Sequence, residues 1–280
     1  MPRCAFLTLE NTEGWFIDDD LVHEPLCALG WEVENVPWTT PTDWDTYDLV
    51  VIRSPWDYQQ RPDDFFEVLR QIDRSRASLQ NSLETVRWNI NKNYLLELRS
   101  RGVELVPTVM LPRLGPGDLD RLGEEFGTRR LIVKPTMGAN ADDTFCLPDQ
   151  HPGDVFSAKP CFVQPFMRNI VEEGEFSLMC LNGTPSHTIL KTVGEGDFRV
   201  QEEHGGGVVA VENPEPALVA AANAAMDQLP WKTLYARVDL VRTDSGSFAL
   251  MELELIEPCL YFRFGKDAAG TFARAICDVI

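Results

Sequence analysis

The sequence predicts an α/β (α+β) fold, with a parallel sheet in its first third and mostly antiparallel sheet in its last. Three observations predict it. The first third alternates short apolar runs with helix-spaced runs, the pattern of a small parallel sheet with helices on its faces. Further on, Asn182-Gly183 separates two strand-like runs, a strong hairpin signal. Near the C-terminus, Ala236 to Arg242 and Ser247 to Ile256 read as two strands joined by an Asp-Ser-Gly turn.

The elements follow in order. Ala5 to Leu9 is a short apolar run and the first expected strand. Pro25 to Leu29 before Gly30 reads as a helix, with proline near its first turn and glycine at its end. Trp31 to Val36 alternates as a strand, and Leu49 to Ile52 is a buried-strand run that ends in Arg53-Ser54-Pro55-Trp56. Asp63 to Ile72 has helical spacing. Asn91 to Arg101 is a helix closed by Gly102, with Val103 to Val106 expected as a strand behind it. A Pro/Gly-rich break from Leu111 to Asp118 precedes a helix over Leu119 to Phe126. Leu131-Ile-Val133 and Cys161-Phe-Val-Gln164 are strands, ending in Lys134-Pro135 and Pro165. Glu175 to Leu181 and Ser186 to Thr192 form the hairpin, and Glu195 to Gly207 reads as a polar, mobile loop. Pro216 to Leu229 and Ala268 to Val279 close the series as helices.

Composition excludes several function classes. With 25 Lys and Arg against 44 Asp and Glu, the net charge of −19 repels nucleic-acid backbones and anionic membranes. An anionic ligand would need local lysines or arginines and a metal to offset that field. No window approaches the 18 or so apolar residues of a membrane span, and MPRCAFLTLEN is too short an apolar run for a signal peptide. The cytoplasm is the expected location. The seven cysteines have no C-x-x-C spacing, so they suggest neither a zinc site nor a disulfide framework. A homo-oligomer is compatible with these features, which do not fix the state.

The residues that carry chemistry begin with Asp239 on one C-terminal strand and Glu252 and Glu254 on the next. Alternate strand residues share a face, so Glu252 and Glu254 point the same way and strand pairing could bring Asp239 beside them. Three carboxylates on one face repel each other unless a cation lies between them, and Mg²⁺ suits such oxygen ligands. The plainer alternative is a solvated outer face. Lys134 closes a buried strand and Lys92 opens a helix; in so acidic a chain, two rigidly placed lysines point to an anionic ligand. The loop Thr136-Met-Gly-Ala-Asn-Ala-Asp-Asp-Thr144 could let backbone N–H groups approach phosphates, or be an ordinary turn; it is not a Walker A loop.

Together, Lys92, Val133-Lys134-Pro135, Gln164-Pro165-Phe166, Arg237-Val-Asp239 and Glu252-Leu-Glu254-x-x-x-Pro258 resemble the ATP-grasp superfamily, near bacterial glutathione synthetase. Arg53-Ser-Pro-Trp56, Val86-Arg-Trp88, Pro185-Ser-His187, Arg237-Val-Asp-Leu-Val-Arg242 and Glu257-Pro258 are closer still to cycloserine synthetases, the O-ureido-serine cyclo-ligases. The resemblance spans nearly the whole chain. It implies an ATP-grasp fold with an N-terminal parallel pre-grasp domain over residues 1–88, a central lid subdomain over 89–164 and a C-terminal domain with the metal site over 165–280. It implies ATP and Mg²⁺ as cofactors, with Mn²⁺ as an alternative. Lys92 and Lys134 would contact the α- and β-phosphates. Gln164, Pro165, Phe166 and Met167 would meet adenine, mainly through backbone, and Glu175 would hold the ribose. Asp239, Glu252 and Glu254 would hold the metal, with Arg237 and Arg199 steadying the transferring phosphoryl group. The lid loop has less glycine than the family pattern, and Glu254 stands where asparagine is common.

The implied activity is a carboxylate–amine ligation, intermolecular or cyclising, on a small amino-acid-like substrate through an acyl phosphate. The alternatives are a kinase-like phosphotransferase and a catalytically inactive nucleotide-binding protein. Arg53 ends a first-domain strand and suits bidentate carboxylate binding, so Arg53, Ser54 and Trp56 are candidate acceptor contacts; a structural strand-end turn is the competing reading. His187 is a further candidate, against an ordinary core or surface histidine.

Overall fold

Three sheets meet around one cleft in the computed structural model, which describes residues 1–138, 143–202 and 205–280. The first sheet holds β1 (Arg3–Thr8), β2 (Glu32–Pro37), β3 (Leu49–Ser54) and β4 (Ser78–Gln80), all parallel, in the order β2-β1-β3-β4. Helices α1 (His23–Ala28) and α2 (Pro62–Arg74) connect these strands. Both faces of the central strands are apolar, as a covered parallel sheet requires. Cys4, Phe6, Leu49 and Val51 pack into one core, and Ala5, Leu7, Val50 and Ile52 into another against α2.

Helices α3 (Leu83–Asn89) and α4 (Tyr94–Ser100) lead to the second sheet. It contains β5 (Val109–Leu111), β6 (Leu131–Pro135), β7 (Phe145–Cys146) and β8 (Cys161–Pro165), antiparallel, in the order β5-β8-β6-β7. Its outer face packs on α5 (Asp118–Phe126) through Leu122, Leu131, Val133, Cys161 and Val163. The alternate residues of β6, Ile132 and Lys134, therefore face the cleft.

After the short α6 (Asn169–Glu172) comes the third sheet: β9 (Glu175–Leu181), β10 (Thr184–Thr192), β11 (Gly207–Ala210), β12 (Tyr235–Arg242) and β13 (Phe248–Glu254). These are antiparallel in the order β11-β10-β9-β12-β13. Asn182 and Gly183 both adopt positive φ, 49° and 75°, the left-handed pair that a two-residue hairpin turn needs. One face, with Phe176, Leu178, Val238, Leu240 and Leu253, is buried beneath α4 and α7 (Pro216–Met226). The last helix, α8 (Ala268–Cys277), fills the space between first and third sheets, its Phe272 sharing a core with Phe6, Met179 and Tyr235.

The predicted class holds, with local corrections. Val103 to Val106 makes only a single bridge, Leu105 to Leu250, and the strand is formed instead at Val109–Leu111. Pro107 explains the shift, since it has no N–H to donate. The strand β4 and helix α3 were not anticipated; Ser82 caps that helix by accepting from the backbone N–H of Thr85 at 3.2 Å.

Candidate active site

The cleft-facing side of the third sheet is built by strand register. Arg237 and Asp239 alternate on β12, and across the ladder they oppose Glu254 and Glu252 of β13. On the other flank Asp239 opposes Ser177 of β9, and Glu175 opposes Lys191 of β10. A bulge between Asp239 and Leu240 adds one residue to β13. Beyond it the strand changes parity, so Met251 also faces the cleft, beside Val106, Met167 and Ile170. The cleft is thus apolar at the Met251 end and charged along Glu252 and Glu254.

The charges are arranged as pairs. The guanidinium of Arg237 holds Asp239 through two bonds, Nε to Oδ1 and Nη2 to Oδ2, both at 3.0 Å, and also binds Glu254. Lys191 Nζ binds Glu175 and lies 3.5 Å from Asp239 Oδ1. Lys92 Nζ binds Glu252 and donates to Gly138 O at 3.1 Å, while the Lys92 N–H donates to Thr136 O at 2.8 Å and ties its helix to the end of β6. Burial works against the charged form of Asp239, but Arg237 and Lys191 outweigh it and hold the carboxyl below its usual range. Glu254 goes the other way: burial, then crowding by Glu252 and Asp239, raises it despite Arg237. Lys134 is half-buried without a carboxylate within 4 Å among the described residues, and desolvation lowers its pKa. Its Nζ lies 5.8 Å from the Phe162 ring centre.

The chain is similar to known proteins over nearly its whole length. Residues 4–81 match the family model for the N-terminal domain of D-cycloserine synthetase DcsG. The cycloserine biosynthesis protein DcsG of Streptomyces lavendulae is 29% identical over 272 residues, covering 90% of each chain. The crystal structure of D-cycloserine synthetase superposes with a TM-score of 0.85 at 27% identity, covering 99% of both chains. The ATP-grasp ligase PsnB, solved with a phosphomimetic variant of its minimal precursor, Mg and ADP, superposes with a TM-score of 0.67 at 14% identity, over 99% of this chain and 98% of that one. The chain has the ATP-grasp fold and is a ligase similar to D-cycloserine synthetase.

Most residues singled out in the ligase sequence meet in this one cleft. Lys92, Lys134, Gln164, Pro165, Phe166, Met167, Glu175, Arg199, Arg237, Asp239, Glu252, Glu254 and Trp56 all line it. The Gln164 side chain donates to Thr108 Oγ1 at 2.9 Å and is thereby engaged within the protein. Arg199 is held by Asp197, with Nη2 to Oδ2 at 2.8 Å. The three carboxylates do not close into a cage: among the described residues no three His, Cys, Asp or Glu side chains converge on a single point. Arg237 bridges Asp239 and Glu254, and Lys92 binds Glu252. Of the phosphate-loop expectation, residues 139–142 lie outside the described residues; Gly138 lines the cleft.

Three of the expected substrate contacts, Arg53, Ser54 and His187, do not line the cleft. Arg53 is completely buried, and its Nη2 donates to Asp19 Oδ1 and Pro258 O, both at 2.9 Å. Its guanidinium also sits 4.9 Å from the Tyr235 ring centre. This internal ion pair ties β3 to the segment after β13, the structural strand-end reading of Arg53. Ser54 is equally buried. His187 packs outside the cleft, with Nε2 2.8 Å from Leu260 O. Sequence reasoning missed Lys191, Trp15, Tyr58 and Glu257, which all line the cleft. Glu257 stood within the quoted Glu257-Pro258 string, but only the fold shows that it turns inward.

Proposed function

We propose that the ligase joins a carboxylate to an amine on a small amino-acid-like substrate, using ATP and Mg²⁺ through an acyl phosphate. The single observation that carries this reading is the cleft itself, which the second and third sheets line with an apolar end, two lysines and a compensated carboxylate row. Ile132, Phe166, Met167, Ile170 and Met251 suit a purine ring, with backbone of the 164–167 segment at its edge. Lys134 and Lys92 line the same cleft and would neutralise phosphates. Glu175, already paired with Lys191, would hold the ribose.

The residues present fit a magnesium ion. Glu252 and Glu254 share a face in a crowded negative field, and Mg²⁺ commonly takes one or two protein carboxylates with substrate phosphates. Those two, with Asp239 opposite, would hold it, and it would supply charge neutralisation at the transferring phosphoryl group. Arg237 and Arg199 would add to that neutralisation. The substrate carboxylate attacks the γ-phosphorus and ADP leaves; the amine then attacks the carbonyl carbon of the acyl phosphate, and phosphate leaves as the amide forms. The likeness to D-cycloserine synthetase favours a cyclising version, with amine and carboxylate in one molecule. The segments 1–88, 89–164 and 165–280 are proposed as the three structural units, each built around one sheet.

A phosphate-release screen with ATP, Mg²⁺ and a panel of amino acids, ureido and carbamoyl amino acids, and dipeptides tests the reading. The expected result is one ADP and one phosphate per amide, with a product lighter by one water than its reactants. ADP without phosphate, beside a phosphorylated product, would establish a phosphotransferase instead.

A further inference from the structure

Six carboxylates line the cleft: Glu175, Glu202, Asp239, Glu252, Glu254 and Glu257. Five have a basic partner inside the protein. Glu175 has Lys191, Glu202 has Arg263, Asp239 has Arg237, Glu252 has Lys92 and Glu254 has Arg237. Among the described residues Glu257 has no Lys, Arg or His nitrogen within 4 Å. Its hydrogen-bonding neighbours are neutral, the buried Tyr58 and Gln59, whose Nε2 lies 3.5 Å from Glu257 Oε1, while Lys92 and Arg237 act on it only from beyond 4 Å. An aromatic wall stands beside it. Trp56 donates its indole N–H to Glu257 O at 2.8 Å, and Trp15 packs on Trp56 with ring centres 5.2 Å apart. Phe16, half exposed, continues that wall at the cleft mouth.

A half-buried carboxylate without a basic partner within 4 Å, in a cleft wall that also holds Trp15 and Trp56, is a chemically complementary setting for an ammonium group, which gains a charged hydrogen bond and, over an indole ring, cation–π attraction. Its place in the cleft agrees. Along the chain Met251 marks the apolar end, Glu252 and Glu254 the charged middle, and Glu257 the far end, where the acceptor must enter. We propose that Glu257, with Trp15 and Trp56, forms an ammonium-recognition subsite, so that the acceptor is an amino acid carrying a free cationic amine. This amine is a recognition group and not the nucleophile, which must be neutral to attack. The proposal rests on the ligase reading for the acceptor's other half.

Two arms test it. In turnover, acceptors found by phosphate release should lose activity when that amine is acetylated or replaced by hydrogen. Glu257→Gln should raise the KM of the amine-bearing acceptor about 30-fold or more, as expected for removing one partner of a buried charge pair, with the KM for ATP unchanged. The variant should also lose its preference for the amine-bearing form. Thermal unfolding confirms that the variant is folded. The second arm needs no acceptor: ethylammonium chloride titrated into the ADP-loaded protein should change tryptophan emission saturably, and Glu257→Gln should remove the response, with ethanol as the neutral control. An equal response in both proteins, or no saturable response in the wild type, overturns the subsite. Turnover indifferent to the amine overturns it while leaving the ligase reading intact. A Glu257-dependent ethylammonium response without any turnover supports the subsite and counts against the ligation chemistry.

Discussion

At the cleft end lined by Ile132 and Phe166, the half-buried side chain without an oppositely charged partner within 4 Å among the described residues is a lysine, Lys134; at the end lined by Trp15 and Trp56 it is a glutamate, Glu257. Between them, Asp239, Glu252 and Glu254 are neutralised by Arg237, Lys92 and Lys191. A buried charge without its opposite destabilises the fold, which is why most proteins pair or neutralise such groups. Here one of each sign is kept, at opposite ends. The arrangement would suit a site that receives a polyphosphate at one end and an ammonium at the other, as proposed. It also means the two ends should respond to mutation unlike a charge that is paired internally.

The Arg53–Asp19 pair is that internal reference. Arg53→Ala leaves Asp19 buried and charged without its partner, so it should cost about 3–5 kcal/mol of stability. Chemical denaturation would measure this, and the acceptor KM of the folded fraction should not change. A large KM effect with unchanged stability would break the comparison and return Arg53 to the substrate site. Lys134→Met should do the reverse. It removes a desolvated charge and should raise the melting temperature, while lowering kcat/KM for ATP by a factor of about 10²–10³, the scale for losing one preorganised electrostatic contact. Calorimetric titration with ADP would separate weakened binding from weakened chemistry.

How far the sequence reveals this site can be argued from two bulges. Alternation alone shows that Glu252 and Glu254 share a face. Counting outward from the turn after Arg242, however, pairs Asp239 with Met251; the bulge beside Asp239 is what sets Glu252 opposite it. Counting outward from Asn182-Gly183 likewise pairs Glu175 with Leu190, and the bulge between Pro185 and His187 puts Lys191 there instead. Lys191 was therefore invisible as a partner for Glu175. Bulges are set by packing of the whole sheet, and a local pattern cannot supply them. Arg53 failed for a similar reason: a strand-end arginine looks available until the segment near Pro258 folds over it. The parallel sheet, the hairpin and the lysine strand were legible because their signals are local.

A third measurement sharpens the contrast through pH. Burial pushes the Glu257 carboxyl up to about 7, with Tyr58 opposing and Glu252 adding to the rise. The unfolded chain releases that proton near the ordinary glutamate range, so the folded state binds more protons between the two values. Stability should then fall as pH rises from about 4.5 through 7, by on the order of 1–3 kcal/mol. Glu257→Gln should flatten this slope and be more stable than wild type at pH 8. Melting curves from pH 5 to 8 would show it; parallel curves for the two proteins would mean that Glu257 is solvated or paired.

Glu254 should give the smallest effect, and for an instructive reason. It lies on the same face as Glu252, but Arg237 already binds it, and Arg237 also holds Asp239. Replacing it by asparagine removes one of several crowded negative charges while keeping an oxygen at the same reach. Arg237 keeps its bidentate hold on Asp239. Turnover at saturating Mg²⁺ should therefore stay close to wild type, and the Mg²⁺ needed for half-maximal rate should rise about fivefold, on the order of 1 kcal/mol. Glu252→Ala should abolish turnover at any Mg²⁺ concentration, because it takes away both a proposed metal ligand and the partner that positions Lys92. Equal losses in the two variants would place the metal on Glu254 as much as on Glu252, and the charge row would then be a single ligand set instead of a ligand beside a neutralised neighbour.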